Sequence, residues 1–235
     1  MKVKKTIGIL GGMGPEATNN LYSEIIANTP ANKDQDHIPT IIFSNPLIPD
    51  RTDAILQKGR NPLPELLSSA KKLEKWGADF VIIPCNTSHF FISNLRAHLN
   101  IPIVSMLEET VLYVKSEFSM IKKVGLLATT GTIQSRIYHD VFSNANIEII
   151  HLDQDDQEEL VMKAIYGPSG IKSGDKDNSK KFLLKAVSLL KEKAVEIIIM
   201  GCSEIPLVLK QKGVPLLVNP TNILAKKAVL LALSN

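Results

Sequence analysis

Phe80-Val-Ile-Ile-Pro-Cys85-Asn-Thr-Ser-His89 and Glu196-Ile-Ile-Ile-Met-Gly-Cys202-Ser-Glu204 are two versions of one segment, each an apolar run that ends in a cysteine. These are the only two cysteines in 235 residues, and they lie 202 − 85 = 117 positions apart. The same offset, 124 − 7 = 117, relates Ile7-Gly-Ile-Leu10 to Val124-Gly-Leu-Leu127. A further echo, Ile101-Pro-Ile-Val against Val214-Pro-Leu-Leu, runs at 214 − 101 = 113, so a small insertion or deletion separates the copies. The chain reads as two related halves, each with one cysteine just past a buried strand.

Working outward, eight short β-branched runs punctuate the chain: Thr6–Leu10, Thr40–Phe43, Phe80–Ile83, Ile101–Val104, Val124–Ala128, Ile147–Ile150, Ile197–Met200 and Val214–Val218. They are continuous rather than alternating, the pattern of strands covered on both faces. Intervening segments such as Pro62–Trp76 and Lys180–Lys193 have helical spacing with polar outer faces. This alternation predicts an α/β fold of two pseudo-symmetric lobes, each a parallel sheet flanked by helices, with the active site in the cleft between lobes. The expected lobes are residues 1–104 and 105–210. The sequence leaves open whether the last strand and helix, 211–235, cross back to complete the first lobe. Gly167-Pro-Ser-Gly-Ile-Lys-Ser-Gly-Asp175 reads as a mobile loop.

Composition narrows the function classes. With 44% hydrophobic and 22% charged residues the chain has the make-up of an ordinary globular protein. A net charge of +3, evenly spread, argues against a nucleic-acid partner. No apolar run reaches membrane-spanning length, and after the basic start Met1–Lys5 the run Thr6–Leu10 is too short for a signal peptide. Two cysteines without a CxxC pair argue against a disulfide framework and a zinc site. The expectation is a cytoplasmic protein with reduced thiols.

Gly11-Gly-Met-Gly-Pro-Glu16 follows the first strand, with Pro15 suited to a first helical turn and glycines that let backbone N–H groups approach an anion. Gly12-x-Gly14-x-x-Ala17 matches the dinucleotide pattern, but the second strand runs into Ser44-Asn45-Pro46 without the acid a ribose needs. A carboxylate site is the better reading, and an empty tight turn the plain one. Cys85 and Cys202 each precede an expected helix whose N-terminus would stabilise a thiolate. Asn86 and Thr87 follow the first, Ser203 and Glu204 the second, as carboxylate donors or simple caps. Arg51, in Asp50-Arg-Thr, sits on a proline-flanked loop where a guanidinium can fork onto a carboxylate or form a surface ion pair. Lys172 in the glycine-rich loop is similar. Thr129-Thr-Gly-Thr132 takes the place of the glycine turn in the second half. His89, four residues past Cys85, reads as a hydrogen-bonding or packing residue, since nothing in the second half matches it. The acidic run Asp153–Glu159 reads as a solvated helix start.

Together, Gly8-Ile-Leu-Gly-Gly-Met-Gly-Pro15, Pro49-Asp-Arg-Thr52, Pro84-Cys-Asn-Thr87, Leu127-Ala-Thr-Thr-Gly-Thr132, Ile165-Tyr166 followed by Ile171-Lys-x-Gly174, and Gly201-Cys-x-Glu204 resemble the aspartate/glutamate racemase superfamily, most closely its aspartate racemase branch. The motifs span nearly the whole chain in the family's order. The resemblance implies a two-lobed enzyme, commonly a homodimer, that needs neither pyridoxal phosphate nor metal. Cys85 and Cys202 would be its two acid/base residues. Met13, Asn86, Thr87, Thr129 and Ser203 would surround the α-carboxylate and amino group of an amino-acid substrate, and Arg51 and Lys172 would hold its distal carboxylate, with Asp50 and Glu204 in support. Ser203 stands where threonine is usual, and Asn219 where aspartate is common. The expected reaction is racemisation of aspartate, with glutamate second. The alternatives are maleate cis–trans isomerisation, hydantoin racemisation, or a non-catalytic two-lobed dicarboxylate-binding protein.

Overall fold

The computed structural model describes residues 4–210 and 216–234. Eight strands alternate with helices: β1 (Ile7–Gly11), β2 (Thr40–Ser44), β3 (Phe80–Ile82), β4 (Ile103–Val104), β5 (Lys123–Leu127), β6 (Glu148–Ile150), β7 (Ile197–Met200) and β8 (Leu216–Val218). Val214, with which the sequence reading opens the last strand, lies outside the described residues, as do the first three of the basic start. The strands form two parallel four-stranded sheets, ordered β2-β1-β3-β4 and β6-β5-β7-β8. The chain divides into two compact units, Met1–Glu109 with Thr221–Asn235, and Thr110–Pro220.

The repeat seen in the sequence holds at the level of register. Ile7 lies opposite Phe80 in one sheet, and Val124 opposite Ile197 in the other, so both partners shift by the same 117 positions. Gly8 and Gly125, also 117 apart, occupy matching places. A Cβ on Gly8 would lie 2.8 Å from Ala78 Cβ and 3.4 Å from Leu73, and one on Gly125 would meet Ile198 at 2.9 Å, Val195 and Leu190. Leu73 and Leu190 close the helices Leu63–Lys75 and Lys176–Glu192, whose apolar stripes bury Leu66, Ala70 and Leu73 in one unit and Leu183, Ala186 and Leu190 in the other. The glycine lets that helix approach the central strand closely enough to cover it. On the outer strands the offset changes: Val81 faces Ile103 while Ile198 faces Leu217, giving 217 − 103 = 114, one more than the proline-based echo.

One expectation needs correction. The continuous apolar run Thr40–Phe43 does not mark a strand covered on both faces. β2 is an edge strand with β1 as its neighbour, and Ile42 is 39% exposed. The central strands β1, β3 and β7 are buried throughout. The open question of the C-terminal stretch has a divided answer among the described residues 216–234. β8 pairs with β7 and belongs to the second sheet, whereas the helix Pro220–Leu233 joins the first unit from Thr221 onward, where Ala232 accepts a hydrogen bond from the Lys5 N–H at 3.0 Å and Lys227 pairs with Glu109 at 3.1 Å. Ladder hydrogen bonds hold the strand, whereas the helix buries Leu224, Ala225, Ala228 and Ala232. Among the described residues no helix is long and apolar enough to cross a membrane.

Filling either close approach should overpack the core. Gly8→Val and Gly125→Val are each expected to cost about 1–3 kcal/mol in urea unfolding. A loss below about 0.5 kcal/mol at either position would contradict the helix–strand contact described.

Candidate active site

In the order β2-β1-β3-β4 the chain leaves β1 toward one edge and enters β3 toward the other, so the loops after these strands diverge. That switch point is where open parallel sheets bind ligands. Both loops in the first unit carry candidate residues, and the second sheet repeats the arrangement after β5 and β7.

In the first unit, Gly12 takes a φ of +95°, and a Cβ there would fall 2.3 Å from the Asn45 backbone, so only glycine fits this turn. The Thr18 hydroxyl accepts from the Gly12 N–H at 2.9 Å and donates to the Gly14 carbonyl at 2.8 Å, which pins the turn to the helix Pro15–Asn28. Met13 and Cys85 are buried in the same apolar cluster, with Ile48. Arg51 is buried at the start of the short helix Arg51–Ile55, where the Asp50 side chain caps the Asp53 N–H. Its guanidinium donates to the carbonyls of Ile48 at 3.3 Å, Pro49 at 3.1 Å and Met13 at 3.3 Å, tying the loop after β2 to the loop after β1. That helix packs against the single turn Thr87–Phe91, which follows Cys85 and Asn86. Asn86 and Thr87 are both buried. The candidates Met13, Arg51, Cys85, Asn86 and Thr87 are therefore held on adjoining loops of one unit.

His89 has a defined task there. The Met106 N–H donates to its Nε2 at 3.0 Å, so Nδ1 carries the proton and donates to the Cys85 carbonyl at 2.9 Å. Burial lowers the imidazole from 6.5 to about 4, keeping it neutral. With the Ser88 hydroxyl, which donates to the same carbonyl at 2.7 Å, it fixes the backbone under the thiol and does not act as a base on it.

In the second unit, Thr129 follows β5 and caps the helix Thr130–Gln134 by accepting from the Thr132 N–H at 3.3 Å. Cys202 follows β7, and its thiol donates to Glu204 Oε2 at 2.9 Å. The Ser203 hydroxyl donates to the same oxygen at 3.3 Å, and Lys172 Nζ lies 2.7 Å from Glu204 Oε1. The Glu204 side chain is thus neither a donor nor a capping group, although the residue stands at the N-cap of the turn Ile205–Leu207. It is a buried acceptor at the thiol, shared with a cation. The expectation of a helix dipole stabilising a Cys202 thiolate also fails, because only the one turn Ile205–Leu207 follows, too short to align many peptide dipoles. The surroundings act the other way. Burial pushes the Cys202 thiol well above 9, the Glu204 charge adds to this, and Lys172 opposes it. Both cysteines are free and buried.

Two residues escaped the sequence reading. Gln157, inside the run taken as a solvated helix start, is buried, and its Nε2 donates to the Ala128 carbonyl at 2.8 Å, just before Thr129. Its spacing of three and four from Leu160 and Val161 on one apolar stripe was the available signal. Tyr138 is fully buried, and its phenol is pushed up by burial and by the nearby Cys202, while a hydrogen bond with Thr110 opposes the shift. Nothing in the local sequence marks it.

The chain matches the model of the Asp/Glu/hydantoin racemase family over residues 10–228. It belongs to that family. The broad specificity amino-acid racemase RacX of Bacillus subtilis (strain 168) is 34% identical over 151 residues, 63% of this chain and 64% of that relative, so the match spans just under two thirds of its length. A glutamate racemase of Shewanella sp. (strain MR-7) is 29% identical over 167 residues, 68% of this chain and 58% of its own. Among solved structures, Picrophilus torridus aspartate racemase has a TM-score of 0.85 at 26% identity, covering 97% of this chain and 94% of that one. The family's two-lobed α/β architecture is the one described above.

The buried neutral His89 makes stability depend on pH. Its folded value is depressed, so its contribution is complete above 6.5 and is lost as pH falls toward 4, where the unfolded chain binds a proton that the folded one refuses. The drop should amount to about 3 kcal/mol. His89→Gln should flatten that part of the pH profile in urea unfolding. An unchanged slope between these two values would contradict a neutral His89.

Proposed function

We propose that this chain racemises an acidic amino acid, aspartate ahead of glutamate, without a cofactor, by proton transfer between two thiols and the α-carbon. One observation carries the reading. The two buried cysteines occupy equivalent positions at the switch points of two sheets that share strand order and register. In this mechanism one cysteine, as thiolate, takes the α-proton, and the other, as thiol, returns a proton to the opposite face.

An amino-acid α-proton is a poor acid for a thiolate. A placed base contributes only about 10²–10⁴-fold. The larger part must come from fixed dipoles around the α-carboxylate as the carbanion forms. Asn86 and Thr87 in one unit, with Thr129 and Ser203 in the other, are the polar groups assigned to this role. They are supported in it by being buried and held at strand ends. Met13 would pack beside the substrate, and Arg51 and Lys172 would take the side-chain carboxylate. Arg51 reaches that role already oriented by the three carbonyls it serves. The same reading takes the working form to be a cytoplasmic homodimer.

Cys85→Ala and Cys202→Ala should each abolish racemisation, followed by circular dichroism of aspartate. Each should leave α-proton exchange of one enantiomer, a different one for each variant. Near-normal racemisation by either variant would sink the two-thiol mechanism. Arg51→Ala should cost about 2–5 kcal/mol in kcat/KM for aspartate and glutamate, the scale of a buried charge left without its partner, and much less for a neutral amino acid. Equal losses on acidic and neutral substrates would reduce Arg51 to a structural tie between loops.

A further inference from the structure

Cys202, Glu204 and Lys172 form a continuous chain of contacts. The thiol donates to one carboxylate oxygen at 2.9 Å, and the ammonium sits 2.7 Å from the other. The two ends of this chain differ in surroundings. Glu204 is almost fully enclosed, its side chain 6% exposed, and Cys202 is buried. Lys172 is 28% exposed, with its Nζ over the Tyr166 ring at 5.3 Å. It stands on the single turn Ile171–Ser173, between Gly170 and a Gly174 whose φ is +96°. The carboxylate and thiol are fixed, and the cation is the member with room to move.

We propose that Lys172 has two alternative partners, the Glu204 carboxylate and the side-chain carboxylate of the substrate, and that the exchange between them controls how tightly Cys202 keeps its proton. This rests on the reading that the site takes an acidic amino acid. With Lys172 on Glu204, the carboxylate is partly neutralised and is a weaker acceptor for the S–H group. When a substrate carboxylate draws Lys172 away, Glu204 regains its full charge and the S–H···O bond tightens. With an acidic ligand in place Cys202 therefore holds its proton more firmly, the state needed in the direction of the reaction in which it is the donor. Recognition of the substrate's far end and the acid strength at its α-carbon are thereby read by one cation. The titratable groups acting on this thiol are Glu204, Lys172 and the buried Tyr138 of the helix Ile137–Ser143. Of these Lys172 is the cation, so its displacement leaves the Glu204 charge unopposed at the thiol.

The test is the infrared S–H stretching band of the full chain carrying Cys85→Ser, which leaves one thiol, with and without succinate, a dicarboxylate that cannot be racemised. Succinate should move the band to lower frequency. Lys172→Met should show that low frequency without ligand and should not respond to succinate, and Lys172→Arg should restore the response. Glu204→Gln should remove the low-frequency band. Lys172→Met should also slow iodoacetamide alkylation of Cys202 by about tenfold at neutral pH, the effect of losing one nearby opposite charge. An S–H band indifferent to succinate, or one that moves equally in Lys172→Met, would overturn the proposal. The infrared measurement needs no turnover. A band that moves while the unaltered chain, with both cysteines, racemises nothing would support the exchange and count against the racemase reading. Racemisation with an unmoved band would overturn the exchange alone.

Discussion

The pairing of β1 with β3 and of β5 with β7 is the constraint on which the rest of the structure depends. Parallel strands joined through helices cannot slip without carrying every side chain to the other face. Each pair therefore fixes where the loops beyond the strands emerge. Because Ile7 faces Phe80 as Val124 faces Ile197, the loop bearing Cys85 and the loop bearing Cys202 leave their sheets at equivalent points. Gly8 and Gly125 allow the covering helices to close over these strands, so the ladders sit in the driest part of each unit. The candidate groups are thereby placed on loops, while their positions are set by the strand ladders.

Equivalent positions do not give the two thiols equivalent chemistry. Around Cys85 the structure spends its polar groups on the backbone: His89 and Ser88 both donate to the Cys85 carbonyl. Around Cys202 they converge on the side chain, through Glu204, Ser203 and Lys172. An enzyme that moves a proton from one face of a carbon to the other needs one thiol charged and one neutral. Burial and the carboxylate hydrogen-bonded to Cys202 favour the protonated form of that thiol. The symmetry of the fold supplies two groups, and their neighbours differ.

Much of this was legible in the residues. The eight apolar runs mark the eight strands, the 117-residue offset marks the duplication, and the cysteines stand out because the repeat contains both. Boundaries were less readable where the physical signal is weak. An edge strand such as β2 carries the same β-branched residues as a central one, because half-buried and fully buried faces both favour them. The split between β8 and the helix Pro220–Leu233 depends on which surface each covers, and no local pattern encodes that. At the site, residue types single out Cys85, Arg51 and Thr129 as candidates and Glu204 as a donor, a cap or a support, but not what Glu204 binds. Its partners, Lys172 from 32 residues upstream and a thiol two residues back, meet only in the folded unit. Gln157 was hidden for the related reason that it sits in an acidic run whose other members are solvated.

Two-thiol proton transfer is tested most directly by where solvent deuterium first appears. Either enantiomer of aspartate, incubated with the protein in D₂O and sampled in the first turnovers, should give a product enantiomer labelled at the α-carbon. The remaining substrate should be unlabelled, because the thiol that removes the proton is not the one that delivers the deuteron. Label appearing equally in substrate and product from the start would mean that one base serves both faces, and the matched cysteines would not be its two halves.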